Sequence, residues 1–172
     1  MCAHEPAVHN RPAMDTSRHI RWDPVEPAVD IRSFTMADYD AVRALWRDTG
    51  LPFRPEGRDA RGAVESQLAG DCAVYLVAVV PETAELVGVV FGTHDGRKGW
   101  INRLAVARAW QRHGLAGRLV AEVEARLAER GIDIVAASIE SGNEASLAFF
   151  AAAGYVHDRD IEYVSKRRHP AI

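Results

Sequence analysis

The stretch from Gly99 to Ile139 constrains the fold more than any other part of the chain. It reads as a strand (Gly99–Val106), a glycine-containing turn, an amphipathic helix over 114–130 and a β-branched run, Ile132–Ile139. In the helix Leu115, Leu119, Val123 and Leu127 recur every four residues, while Arg118, Glu122, Arg126 and Arg130 occupy another face. That is the pattern of a helix laid against a core. Glu122 and Arg126 form a favourable i,i+4 pair, and Gly131 ends the element. A strand–helix–strand connection within one sheet is right-handed and leaves its strands parallel. Upstream, the apolar runs Ala73–Val80 and Leu86–Thr93 are joined by Pro81–Glu85, and Asp95-Gly96 turns the chain into Gly99–Val106. Those spacings are those of antiparallel hairpins. The chain therefore predicts a mixed sheet, antiparallel first and closed by a parallel crossover.

The remaining elements fit around this unit. Val29–Phe34 alternates apolar and polar like a half-buried strand. Thr35-Met-Ala-Asp38 resembles a capping box with Asp in place of Glu. A helix with Val42, Leu45 and Trp46 on one face then ends at Gly50, and a loop over 51–62 leads to a second helix near 60–69. Ser141-Gly-Asn-Glu144 reads as a second capping box, opening a helix that stops at Gly154. Tyr155–His157 and Ile161–Lys166 are expected to close the fold as a bent or paired strand. The order is β-α-α-β-β-β-α-β-α-β, an α+β protein.

Composition narrows the class. With 172 residues the chain has the length of one domain, which buries roughly 70% of its unfolded surface and sustains a core without metal or disulfide. A net charge of −3 argues against nucleic-acid binding driven by bulk charge. No apolar run approaches the ~20 residues of a membrane span. Two cysteines, Cys2 and Cys72, are too few for a disulfide framework or a four-ligand zinc site. A cytoplasmic protein without a metal is expected, with Cys72 a small buried hydrophobe at the head of an apolar run. Residues 1–28 hold four of the eight prolines and three of the seven histidines without periodicity. They read as a mobile arm preceding a single domain over 29–172, with no signal peptide in Met1–Pro27. Met14 is an alternative start, Trp22 the one residue suited to local docking, and His4, His9 and His19 are too irregularly spaced for a metal site.

The chemistry lies in Leu104-Ala-Val-Ala-Arg-Ala-Trp-Gln-Arg-His-Gly-Leu-Ala-Gly117. A helix that opens at a glycine presents free N–H groups and the positive end of its dipole, a site for phosphates. Gly114, Ala116 and Gly117 permit close approach; Arg112 and His113 add donors, with Arg108 and Arg118 nearby. The spacing is neither a P-loop nor a dinucleotide fingerprint. Gln111-Arg-His-Gly114-Leu-Ala116 does match [QR]-x-x-G-x-[GA], and Asn143-Glu-Ala-Ser146-Leu-Ala-Phe149-Phe150-Ala-Ala-Ala-Gly154-Tyr155 matches N-x-x-[AS]-x-x-[FL]-[FY]-x-x-x-G-[FY]. Together, on these elements, the two motifs resemble the GNAT superfamily of N-acetyltransferases over about residues 29–168. Gly99–Val106 and the terminal Val-Ser-Lys-Arg look closest to small bacterial members of the YpeA type.

The resemblance implies a mostly antiparallel sheet of six to seven strands with about four helices, splayed between strands four and five. It implies acetyl-CoA as co-substrate, with the pantetheine arm in the splay. Leu104, Ala105 and Val106 would lie along that arm, with Leu104 and Val106 offering backbone groups to it. Gln111, Arg112, His113, Gly114, Leu115, Ala116 and Gly117 would form the pyrophosphate turn. Asn143 would hydrogen-bond the pantetheine, and Ser146, Phe149 and Phe150 would line the thioester side. The reaction implied is direct attack of a neutral primary amine on the thioester, the acceptor being a small molecule or a peptide. Many relatives carry a carboxylate base on strand four; Gly99–Val106 has none. Asp95, Glu140 and His94 are the candidates nearby by topology. Phe150 stands where relatives often have a tyrosine acid, leaving water or Tyr163 as donor. A non-catalytic acyl-CoA-binding or interaction domain is the alternative, and a homodimer is left open. The loop 51–62 and residues 157–163 would form the acceptor pocket.

Overall fold

Five strands lie in chain order in one sheet of the computed structural model, which describes residues 28–166 and 168. The strands are β1 (Asp30–Ser33), β2 (Ala73–Val79), β3 (Leu86–His94), β4 (Gly99–Val106) and β5 (Val135–Ala137). The helices are α1 (Tyr39–Thr49), α2 (Arg61–Leu68), α3 (Leu115–Ala128) and α4 (Glu144–Ala152). β1 to β4 pair antiparallel and β4 pairs β5 parallel, so the mixed sheet read from the sequence is present. The arm, with His4, His9, Met14, His19 and Trp22, lies outside the described residues.

α3 docks on one face through its four-residue stripe, and the sheet accepts it because three glycines lie beneath. A Cβ on Gly88 would stand 2.9 Å from Leu119, on Gly92 2.7 Å from Val123, and on Gly99 2.6 Å from Leu127. Each helix side chain thus fills the space that its glycine leaves. Leu119, Val123 and Leu127 are fully buried there. The opposite face carries α1 and α2 over an aromatic cluster in which Tyr75 stacks on Phe91 at 3.8 Å and Trp46 meets Phe91 edge-on at 5.2 Å.

The turn into α1 is held electrostatically. The Asp38 carboxylate accepts from the Thr35 N–H at 2.8 Å and from both Arg32 terminal nitrogens at 2.8 and 2.7 Å. The Arg32 hydrogen bond, with smaller help from Thr35, holds Asp38 down from its ordinary 3.8 to about 2, against the cost of its burial. At the other end Gly50 takes φ 73 and closes α1 by donating to Arg47, the left-handed cap that glycine permits.

One extra residue interrupts β4. Phe91 pairs Arg103 and Gly92 pairs Ile101, so Asn102 has no partner on β3. The bulge flips the alternation: Ile101, Leu104 and Val106 pack with α3, and Ala105 packs with the α1–α2 face. β5 follows β4 only over Gly99↔Val135, Trp100↔Ala136 and Ile101↔Ala137. The two strands part at the bulge.

Several expectations are corrected. The sheet has five strands among the described residues, not six or seven. Tyr155–His157 and Ile161–Lys166 form no strand, and Val156, Ile161, Tyr163 and Val164 are exposed. The polar run His157–Asp160 breaks the apolar pattern, and Asp158 turns the chain by accepting from the Asp160 N–H at 3.1 Å. β5 spans three residues rather than Ile132–Ile139, because β4 runs beside it only below the bulge. Cys72 is exposed, one residue before β2. α4 is capped by Asn143, not Ser141: its Oδ1 accepts from the Ser146 N–H at 3.0 Å.

Two outcomes follow from this packing. Gly92→Val forces a branched side chain into Val123 and should cost about 2–3 kcal/mol of stability in urea unfolding, as overpacked cores do. Asp38, held low, stabilises the fold above its ordinary value and loses that contribution as pH falls towards 2. Asp38→Asn should therefore cost about 1–2 kcal/mol at pH 7, less than the full shift implies because Arg32 is half exposed. The gap to the parent should close between pH 4 and pH 2, read from denaturation midpoints.

Candidate functional site

The parting of β4 from β5 leaves a strand edge with unused backbone groups. The Ala107 N–H donates to the Val87 carbonyl at 2.8 Å, so alternation directs Ala105 and Arg103 towards β3 as well. Leu104 and Val106 consequently turn their N–H and C=O groups to the side that β5 has left. The Val106 carbonyl takes a hydrogen bond from Gln111 Nε2 at 2.9 Å. The Leu104 N–H and C=O and the Val106 N–H still face the gap, a row that an extended amide-bearing chain could pair with.

That edge runs directly into the turn before α3. A single-turn 3₁₀ segment, Arg108–Trp110, is followed by Gln111 and by two left-handed residues, Arg112 at φ 67 and Gly114 at φ 81. A non-glycine residue in that region is strained by about 1–2 kcal/mol, and the strain buys a turn whose amides converge. The first bond inside α3 is Arg118 N–H to Gly114 carbonyl at 3.1 Å. The N–H groups of Leu115, Ala116 and Gly117 are therefore left without helical acceptors, at the positive end of a fourteen-residue helix. A cavity of about 280 Å³ opens in front of them, lined by Val106, Trp110, Gln111, Arg112, Gly117 and Phe149 among others. A Cβ on Gly114 or Gly117 would meet nothing within 4 Å, so the approach to these amides is open. Amides in front, arginine at the side and an apolar wall fit a phosphate carrying an organic arm.

The structure brings most of the proposed cofactor residues together and sorts their roles. Leu115 and Ala105 turn their side chains into the two cores, so only their backbones are available. His113 is exposed on the turn. Phe149 lines the cavity, while Phe150 lies behind it in the core, edge-on to Phe149 and to Tyr155 at 5.0 and 4.9 Å. Phe150 thus packs in the core behind this end of the groove. Ser146 is half-buried at the head of α4, beside Asn143. With Oδ1 engaged in the cap, the Asn143 Nδ2 hydrogens have no acceptor among the described residues.

The catalytic candidates fare differently. Asp95 holds the β3–β4 turn, its Oδ1 accepting from the Arg97 and Lys98 N–H groups at 2.9 and 2.8 Å. Those bonds, Lys98 first, lower its pKa, which makes it a weaker base. The His94 ring is engaged on both sides, by the Asp71 carbonyl at 3.1 Å and the Gly96 N–H at 3.3 Å. Glu140 is exposed on the segment leaving β5, its carbonyl accepting from the Asn143 N–H at 3.1 Å. Tyr163 is 83% exposed on the C-terminal segment, packed against nothing in the site. Tyr155 donates to Glu124 at 2.6 Å; burial and that carboxylate raise its pKa, so it ties α4 to α3 rather than giving up a proton.

Sequence reasoning missed the opposite face of the fork. Asp59, in the loop between α1 and α2, is the buried charged residue of the described chain. Its carboxylate accepts from Arg103 on β4 at 2.9 and 3.2 Å and from the Arg54 N–H at 2.7 Å, and its carbonyl accepts from the Tyr39 hydroxyl at 2.8 Å. Burial, then the Asp59 charge, pushes the neighbouring Tyr75 up to about 12, and its hydroxyl donates to Gln67. The signal available was Asn102-Arg103, two polar residues in succession inside an apolar strand. That is the mark of a bulge.

Residues 39–155 match the family model described as the acetyltransferase (GNAT) family. Among solved structures the chain is similar to aminoglycoside N-acetyltransferase AAC(6')-Iy in complex with the bisubstrate analogue CoA-S-monomethyl-acetylneamine. The TM-score is 0.68 and the identity 18%, over 81% of this chain and 99% of that one. It is also similar to AAC(6')-Ih from Acinetobacter baumannii, with TM-score 0.68 and 15% identity over 83% and 100% of the two chains. The PaiA N-acetyltransferase from Thermoplasma acidophilum, in complex with coenzyme A, gives TM-score 0.62 and 15% identity over 73% and 87%. The chain belongs to the acetyltransferase (GNAT) family, enzymes that take their acetyl group from acetyl-CoA.

Proposed function

We propose that the protein transfers an acetyl group from acetyl-CoA to a primary amine by direct attack on the thioester. The observation that carries this reading is the continuity of the open β4 edge with the N-terminus of α3. The amides of Leu115–Gly117, with Arg112 and Gln111 beside them, would bind the pyrophosphate. The Leu104 and Val106 backbone groups would pair with the amides of the pantetheine arm, and Asn143 Nδ2 would reach it from the head of α4. Phe149 would shield the arm from water. On this reading the thioester would lie near the fork, where amine and carbonyl gain from being held together and a Leu104 or Val106 N–H could polarise the carbonyl.

The acceptor belongs to the small-molecule or peptide amines, entering from the face formed by the 51–62 loop. The YpeA-type likeness, a cytoplasmic setting, a catalytic domain over 29–172 with a separate arm and an optional homodimer complete the reading. Two observations favour a non-catalytic acyl-CoA-binding domain instead: β4 carries no carboxylate, and Asp59 is committed to Arg103. Thiol release from acetyl-CoA across a panel of primary amines decides between them. Release with at least one amine supports the transferase; tight acetyl-CoA binding without release to any supports the binding domain.

The cofactor site has its own test. Gly117→Val fills the cavity without the left-handed strain that burdens Gly114. It should raise the Kd for acetyl-CoA at least about tenfold by calorimetry, a loss of ~1.4 kcal/mol, with a melting temperature within a few degrees of the parent. Unchanged affinity would place the cofactor elsewhere.

A further inference from the structure

The bulge puts two consecutive side chains, Asn102 and Arg103, on the face covered by α1 and α2. Asn102 Nδ2 donates to Thr93 Oγ1 at 2.7 Å, and Arg103 reaches Asp59 at 2.9 Å. Pairing with β5 ends at Ile101, so Asn102 is the first residue above the fork, and it is exposed. The Trp100 carbonyl also lies 3.5 Å from Nδ2. A carbonyl only accepts, which fixes the amide with its nitrogen towards Trp100 and Thr93. Its Oδ1 is left without a hydrogen bond among the described residues, on an exposed residue that adjoins the point where β5 leaves β4.

We propose that Asn102 Oδ1 accepts a hydrogen bond from the acceptor's amine N–H and thereby aims the nitrogen lone pair at the thioester carbonyl. This rests on the transferase reading above. An amide oxygen orients an amine but does not take its proton at neutral pH, and an ammonium has no lone pair with which to attack. The acceptor therefore reacts as the neutral amine. The N–C bond forms as the C–S bond breaks, the thiolate leaves with the electron pair, the surplus amine proton passes to solvent water, and the thiolate is protonated from water. Asn102 orients the acceptor, and water takes the proton.

The test needs no knowledge of the natural acceptor. Coenzyme A carrying S–CH2–CO–NH–benzyl, and the same compound N-methylated, are titrated calorimetrically against the parent, Asn102→Ala, Asn102→Asp and Thr93→Val, with coenzyme A alone as reference. The parent should prefer the N–H compound by about tenfold, the worth of one hydrogen bond in a shielded site. Asn102→Ala should bind the two within about twofold while holding coenzyme A as the parent does. Asn102→Asp, which keeps an acceptor oxygen, should restore the preference. Thr93→Val, which removes the anchor alone, should reduce it, and it decides the matter if Asn102→Ala does not fold. An undiminished preference in Asn102→Ala or Thr93→Val overturns the proposal, as does a parent that binds both compounds alike. A parent that fails to bind coenzyme A at all overturns the transferase reading itself.

Discussion

Asn102 occupies a place in β4 for which β3 offers no partner, and a strand that carries one extra residue must bend and twist away from its neighbour. β5 is that neighbour's counterpart on the other side. Straight strands would have zipped over their full length and left no groove. The bend stops the pairing after Ile101, exposes the outward amides of Leu104 and Val106, and shifts the alternation so that Arg103 meets Asp59 on the α1–α2 face. Open edge and buried ion pair share one cause.

The groove would be of little use without something to receive charge at its end, and the glycine row supplies it. Because Gly88, Gly92 and Gly99 each leave room for one side chain of α3, the helix has a fixed register along the sheet and cannot slide by a turn without losing all three contacts. Its N-terminus is thereby set beside the last residue of β4. The Gln111 side chain completes the join by donating to the Val106 carbonyl. The strained Arg112 and the left-handed Gly114 lie where a ligand would be, as backbone strain commonly does at working sites.

Much of this architecture is legible in the amino-acid sequence. β2, β3, β4 and α3 declare themselves through period and turn residues, and the bounds of β4 agree to the residue. The turn proposed to hold a pyrophosphate is recognisable because its chemistry would be backbone chemistry, which glycine spacing reveals directly. What the sequence hides depends on contacts distant in the chain. Arg103 and Asp59 are 44 residues apart, and nothing local says that they meet. Strands are overcounted because Ile161, Tyr163 and Val164 have strand propensity, yet propensity forms no strand without a partner edge. Phe149 and Phe150 look alike in sequence; only the rotation of α4 decides that the first lines the cavity and the second packs the core.

The two walls of the groove are anchored unequally. β4 is bonded to β3 along its length and clamped by α3, whereas β5 holds on by three residue pairs, and of α4 only Phe150 is buried. Opening free energy follows buried apolar contact and protected hydrogen bonds. The amides of β5 and of the first turn of α4 should therefore exchange with deuterium far sooner than those of β2, β3 and α3. A ligand bridging both walls would tie the looser wall to the firmer one and slow that exchange. The molecule is built as a rigid jaw and a yielding one, and for a long ligand held between them entry and exit would follow how often the yielding jaw lets go.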